Sequence, residues 1–207
     1  MSSITSPVTV APTGTQIESF GAGGQEYIAD IWTGFNISAT LVNPLFTFRA
    51  TDTSMPNAEQ LTNLTEAQKI GSTMAFKATQ LGLRVIPLTS GTALTPDQVN
   101  DMKALLASAI ITLTYGSNET KIGEFSGMHL MAPVDNIAAD ATNTACSQNG
   151  AINSQAWINL KQPVGIQANL NVGGTVKFTR PVPASLYTVA NSFGFVVIMS
   201  GLKVVKS

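Results

Sequence analysis

The chain carries a single histidine, His129, so any imidazole-based triad must use it. Ser126 stands three residues upstream, close enough to share a site with it. An imidazole beside a hydroxyl is the pair that takes a proton from an attacking oxygen. No serine sits in a Gly-x-Ser-x-Gly elbow, however, and a lone histidine between Met128 and Leu130 is more often a packed or surface group. Carboxylates are sparse. Asp97 and Asp101 are four residues apart, on one face of a predicted helix. Asp135 and Asp140 share a polar segment with Asn136 and Asn143, and oxygen donors of that kind suit calcium. Their spacing follows no calcium loop, and no glutamate closes it. Gly21-Ala22-Gly23-Gly24 has the composition of a phosphate cradle. It follows no strand, opens no helix and has no adjacent lysine, so that chemistry fails. Trp32 and Trp157 could stack a sugar ring, although two tryptophans so far apart in the chain are more commonly core or interface residues. Cys146 is the only cysteine, which excludes an internal disulfide and a cysteine metal cluster. No catalytic, cofactor-binding or metal-ligating residue is therefore assigned, and no cofactor is expected.

The totals point the same way. At 207 residues the chain is long enough to bury roughly 70% of its unfolded surface without staples. Charged residues make up only 11%, against about 25% in an average soluble protein. The formal net charge is -1, so there is no electrostatic footprint for nucleic acid. Arg180, Lys203 and Lys206 give the C-terminal region a mild positive bias, too little for a nucleic-acid site. A neutral polar surface suits packing against neighbours, because few charges have to be desolvated. The N-terminal residues have no basic start and no apolar stretch, so no secretory signal is expected. The glycosylation-type triplets at Asn36, Asn63 and Asn118 are accordingly read as chance. The longest apolar run, Phe193 to Met199, is far short of the ~20 residues of a membrane helix, so no transmembrane segment is expected.

The elements that would position any site are mostly strands. Residues 1–26 read as a flexible arm rich in Ser, Thr, Pro and Gly, either frayed or strapped to a neighbouring subunit. Residues 27–207 read as one domain. Ile31 to Leu41 alternates as a long strand broken at Asn43-Pro44, and Leu45 to Ala50 continues with Phe46 and Phe48 on one face. Thr65-Glu66-Ala67-Gln68 has the form of a capping box and predicts a helix of about two turns. Phe76 to Leu88 is extended, with Leu81, Leu83 and Val85 on one face and Gln80, Gly82 and Arg84 on the other. Thr95-Pro96-Asp97-Gln98 opens a second helix, with a good cap, proline at its first position and an acid at the positive end of the dipole. Its apolar stripe of Val99, Met102, Leu105 and Leu106 predicts that it lies on the outside of a sheet. Ala109–Tyr115 and Thr120–Phe125 are strands around a turn, Asp135–Ser154 is a long loop, and Ala156–Leu160 is a short strand. Pro163 to Arg180 alternates around Gly173-Gly174 and predicts a hairpin. Phe193 to Val205 is apolar on both faces, which demands cover from the core on one side and from a helix or a sister molecule on the other. About eight strands with two short helices make an all-β sandwich or barrel.

Phe76 to Pro87 leads through a short helix into Ala109 to Ser117, then Lys121 to Phe125 leads to Met131-Ala132-Pro133. The chain closes with Asn171-Val172-Gly173-Gly174-Thr175-Val176, a proline-rich loop and a final apolar strand with Gly201 near its end. This order resembles the jelly-roll capsid (coat) proteins of icosahedral bacteriophages. The resemblance implies a jelly roll of about eight strands in a virion structural protein that is not an enzyme. It implies partners that are copies of the chain itself, as trimers or pentamers within a shell, with other virion proteins besides. The alternative is a sandwich-fold module that binds carbohydrate or a receptor.

Overall fold

Alternating side chains can be sheltered only if strands pair edge to edge and the resulting sheets stack. In the computed structural model they do so as eight strands in two sheets. The structure describes residues 25–71, 74–89, 94–116, 120–130, 157–168 and 170–205. The strands are β1 (Gln25–Asn36), β2 (Val42–Leu45), β3 (Met74–Pro87), β4 (Ala109–Tyr115), β5 (Thr120–Ser126), β6 (Trp157–Ile166), β7 (Val172–Phe178) and β8 (Phe193–Val205). Three helices, α1 (Ala58–Leu61), α2 (Pro96–Ser108) and α3 (Gly127–Leu130), and a 3-10 turn at Ala184–Leu186 join them.

One sheet has the order β1-β8-β3-β6 and the other β2-β7-β4-β5, with every pairing antiparallel. First strand pairs with last, second with seventh, third with sixth and fourth with fifth, alternately in one sheet and the other. That nesting is the jelly roll. The inward faces of both sheets meet in one apolar cluster. Phe35 of β1 stacks on Phe195 of β8 with centroids 5.4 Å apart, and both rings meet the edge of Phe178 from β7. Such a trio ties the sheets together by ring geometry as well as by area.

Several local expectations give way to tertiary pairing. Pro163 to Arg180 is not a hairpin. β6 pairs with β3 in one sheet and β7 with β4 and β2 in the other. Gly173-Gly174 lies inside β7, where a Cβ on Gly174 would sit 2.6 Å from the Thr112 carbonyl oxygen. The glycine pair serves a close approach of backbones, so the alternation of Val172, Val176 and Phe178 passes through it unbroken. The helix expected after Thr65 is a turn. Gln68 has φ 61°; its N–H donates to the Phe46 carbonyl and its own carbonyl accepts from Val172, both at 2.7 Å. Those two bonds link the end of β2 to the start of β7, and a helix would have consumed them. Asn43-Pro44 does not break a strand but sits within β2, an edge strand that leaves the missing proline N–H unneeded. Leu45 ends β2, and the stretch from there to Ala50 does not continue as a strand. Phe46 has φ 63° and turns inward to the inter-sheet cluster, while Phe48 joins a second cluster on the far side of the β1-β8-β3-β6 sheet.

Helix α2 has the expected capping box: Thr95 Oγ1 accepts from Gln98 N–H, and Gln98 Oε1 accepts from Thr95 N–H. It does not lie on the outside of a sheet. Met102 and Leu105 enter the inter-sheet cluster beside Val182 and Leu186, so the helix closes one end of the sandwich. Asp101 accepts a hydrogen bond from Ser185, which fastens the helix to the 3-10 turn. β8 runs between β1 and β3 and is apolar on both faces as expected. Phe193, Phe195, Val197 and Met199 point into the core. Val196, on the outer face, is covered by Phe48, Ala58, Leu61 and Leu88. The cover over that half of the strand is thus the chain's own α1 segment, and no sister molecule is required there. β1 begins at Gln25, two residues inside the stretch assigned to the arm.

Candidate functional site

The outer face of the β1-β8-β3-β6 sheet is where chemistry-bearing side chains collect. Residues directly opposite one another across an antiparallel pair project to the same side. The register therefore aligns Trp32 of β1, Ile198 of β8, Gly82 of β3 and Trp157 of β6 in one row across the whole sheet. The next row is Asp30, Ser200, Gln80 and Asn159. The row after that holds Ile28, Leu202 and Lys77.

Each position has a local cause. Phe76 and Ala78 face the core, and so do Leu81 and Leu83, which is possible only if the alternation slips by one. Thr79 is the extra residue, and the register shifts between Ala78 and Gln80. This bulge turns Gln80 outward, the re-aiming that bulges commonly perform. At Gly82 the missing side chain leaves a hollow that Trp157 fills. Its Cζ3, Cε3 and Cη2 atoms lie 3.0, 3.1 and 3.4 Å from where a Cβ would stand. The indole is thus seated against β3 and remains half-buried. Gln80 Nε2 donates to Asn159 Oδ1 at 2.8 Å. That bond fixes both amides and leaves the Gln80 oxygen as an acceptor and the Asn159 nitrogen as a donor.

Among the described residues, the face is covered at one end and uncovered at the other. Trp32 packs with Met55, Ile86 and Ile198 against the α1 segment. Trp32 N–H donates to Asn63 Oδ1, its carbonyl accepts from Thr62 Oγ1, and Asn63 Nδ2 donates to the Asp30 carbonyl. These bonds blunt the outward edge of β1, which would otherwise offer a template for another strand. Farther along, Asp30 and Ile28 are exposed, Ile28 at 82%.

Other expected positions carry less. Ser126 Oγ accepts from Met128 N–H at 3.3 Å and so serves the start of α3. His129 falls in α3, but its side chain lies outside the described residues. Asp101 is engaged by Ser185, and Asp97 is exposed in the first turn of α2. Asn63 spends both ends of its amide on the fold, and Asn36 Nδ2 donates to the Pro56 carbonyl at 3.1 Å. Asn118, Cys146, Lys206, Gly21-Ala22-Gly23-Gly24 and the 135–154 segment lie outside the described residues. Among the described residues, no group of His, Cys, Asp or Glu is placed to hold a metal, and no helix is long and apolar enough to cross a membrane. A cleft of about 360 Å³ lies between the sheets, lined by Ile110, Glu124, Phe125, Ser126 and Ile158. Among the described residues that line it, the one carboxylate, Glu124, is paired with Lys121 Nζ at 2.6 Å.

The sequence singled out both tryptophans and placed Gln80 and Gly82 off the core face. It did not bring Asp30, Asn159 or Ser200 to them. The slip in alternation at Thr79 was the available signal. Compared with known proteins, the chain matches no protein-family model and no curated protein.

Proposed function

We propose that this chain is a structural subunit of an icosahedral phage shell, working by repeated self-association and carrying out no catalysis. The observation that carries the reading is the nested strand order, β1-β8-β3-β6 over β2-β7-β4-β5, with each strand paired to its counterpart from the other end of the chain. Jelly rolls of this kind build viral coats, lectin domains and cupins, so the fold alone does not choose among them. Two further features favour the coat. Between the sheets, Phe35, Phe178, Phe195 and their neighbours pack into one apolar cluster, and the cleft beside it is lined mainly by Ile110, Phe125 and Ile158, with Glu124 already paired to Lys121. Charged residues are only 11% of the chain, so faces can be buried between copies at little desolvation cost. The partners are copies of the chain, as trimers or pentamers, joined in the virion by its other proteins.

Size-exclusion chromatography with light scattering, followed by negative-stain microscopy, tests this. Trimers, pentamers or regular particles are expected as concentration rises. A monomer at every concentration overturns the reading. The alternative, a sandwich-fold binding module, draws on the tryptophan row of the outer face.

A further inference from the structure

We propose that the open part of the outer β1-β8-β3-β6 face binds a neutral, β-linked oligosaccharide, with Trp157 stacking on a sugar ring and Gln80, Asn159, Ser200 and Asp30 bonding its hydroxyls. The inference does not rest on the shell reading, because an unassembled subunit presents the same face. An equatorially substituted pyranose has apolar C–H faces and a rim of hydroxyls that each donate and accept. Its complement is a flat aromatic surface beside a line of mixed donors and acceptors.

The two adjacent rows supply both halves. The six-membered ring of Trp157 seats in the hollow at Gly82, so the half-buried indole is held in place before any ligand arrives. Beside it the Gln80–Asn159 bond presents one acceptor and one donor, with the Ser200 hydroxyl and the exposed Asp30 carboxylate next in line. Asp30 stands at the far edge of that polar row, about 14 Å from Asn159 at three strand spacings. That span accommodates a chain of several sugars rather than one. The ligand is neutral because the row that bonds it carries one charge, the Asp30 carboxylate, which would repel an acidic glycan, while the cations Lys77 and Arg84 stand in rows on either side of it.

The test is titration of the full chain with cellohexaose and with hexa-N-acetylchitohexaose, read by calorimetry and by tryptophan emission. Saturable binding with a blue shift is expected for at least one of them, with a heparin-derived hexasaccharide binding more weakly. Trp157→Ala is expected to weaken binding about tenfold or more. The double variant Gln80→Ala/Asn159→Ala keeps the indole and is expected to weaken it comparably. Thr175→Ala, on the opposite sheet, is expected to leave it unchanged. No binding of either neutral hexasaccharide at millimolar concentration overturns the proposal. So does binding that survives both Trp157→Ala and the double variant in proteins whose thermal unfolding matches the parent.

Discussion

Phe46 shows how much one residue can be asked to do. It is fully buried at φ 63°, a conformation that costs a bulky L-residue energy. Its N–H donates to the Thr33 hydroxyl oxygen at 2.9 Å, and its carbonyl accepts from Gln68. Thr33 is itself buried, so no water can replace it. Thr33→Val keeps the shape and removes the acceptor, and urea unfolding is expected to show a loss of about 1–3 kcal/mol. Tyr115 is the opposite case. Its hydroxyl is buried with no hydrogen-bond partner among the described residues, and burial pushes its pKa above the ordinary phenol value of 10.0. The folded state thus favours the neutral phenol. This contribution is fully present below pH 10.0 and is lost as pH rises through the raised folded value. Tyr115→Phe removes that alkaline loss and costs little or nothing at neutral pH. Unfolding curves on either side of the phenol range check both halves.

At the scale of elements, strands are anchored by what lies across from them and helices by their own ends. The α2 capping box is local in sequence and was legible for that reason. Thr95→Ala is expected to cost about 1 kcal/mol, seen as a lower denaturation midpoint. The β1 edge was not legible, because the residues that cover it come from a distant loop. Asn63→Ala frees Trp32 N–H and the Asp30 carbonyl together. Time-resolved light scattering is expected to show faster disordered aggregation than in the parent. The bulge at Thr79 stands between these cases. The alternation of Phe76 and Ala78 followed by Leu81 and Leu83 contains the slip, yet only the pairing with β8 shows which residue is extra.

Across the whole molecule, Phe35, Phe178 and Phe195 join strands from the two ends of the chain. Phe195→Ala is expected to cost about 3–5 kcal/mol, since three elements lose a shared ring at once. The described ion pairs, Lys69–Glu66 at 3.9 Å and Lys121–Glu124 at 2.6 Å, are exposed and spaced three residues apart. Pairs of that kind contribute little. On the shell reading, with charged residues only 11% of the chain, association depends on neutral and apolar contact, and raising salt toward molar concentration leaves the oligomers intact in light scattering.

Alternation along β3, β4, β5 and β8, the cap of α2 and the scarcity of charge were all present in the order of residues, because each depends on neighbours a few positions away. They suffice for an all-β sandwich. Which strand pairs with which was not present, because backbone hydrogen bonds are the same for every partner and side-chain alternation marks a face without naming what lies beside it. Folding alone separated β6 from β7, carried the Gly173-Gly174 pair into a sheet, and set Trp32 and Trp157 in the same row.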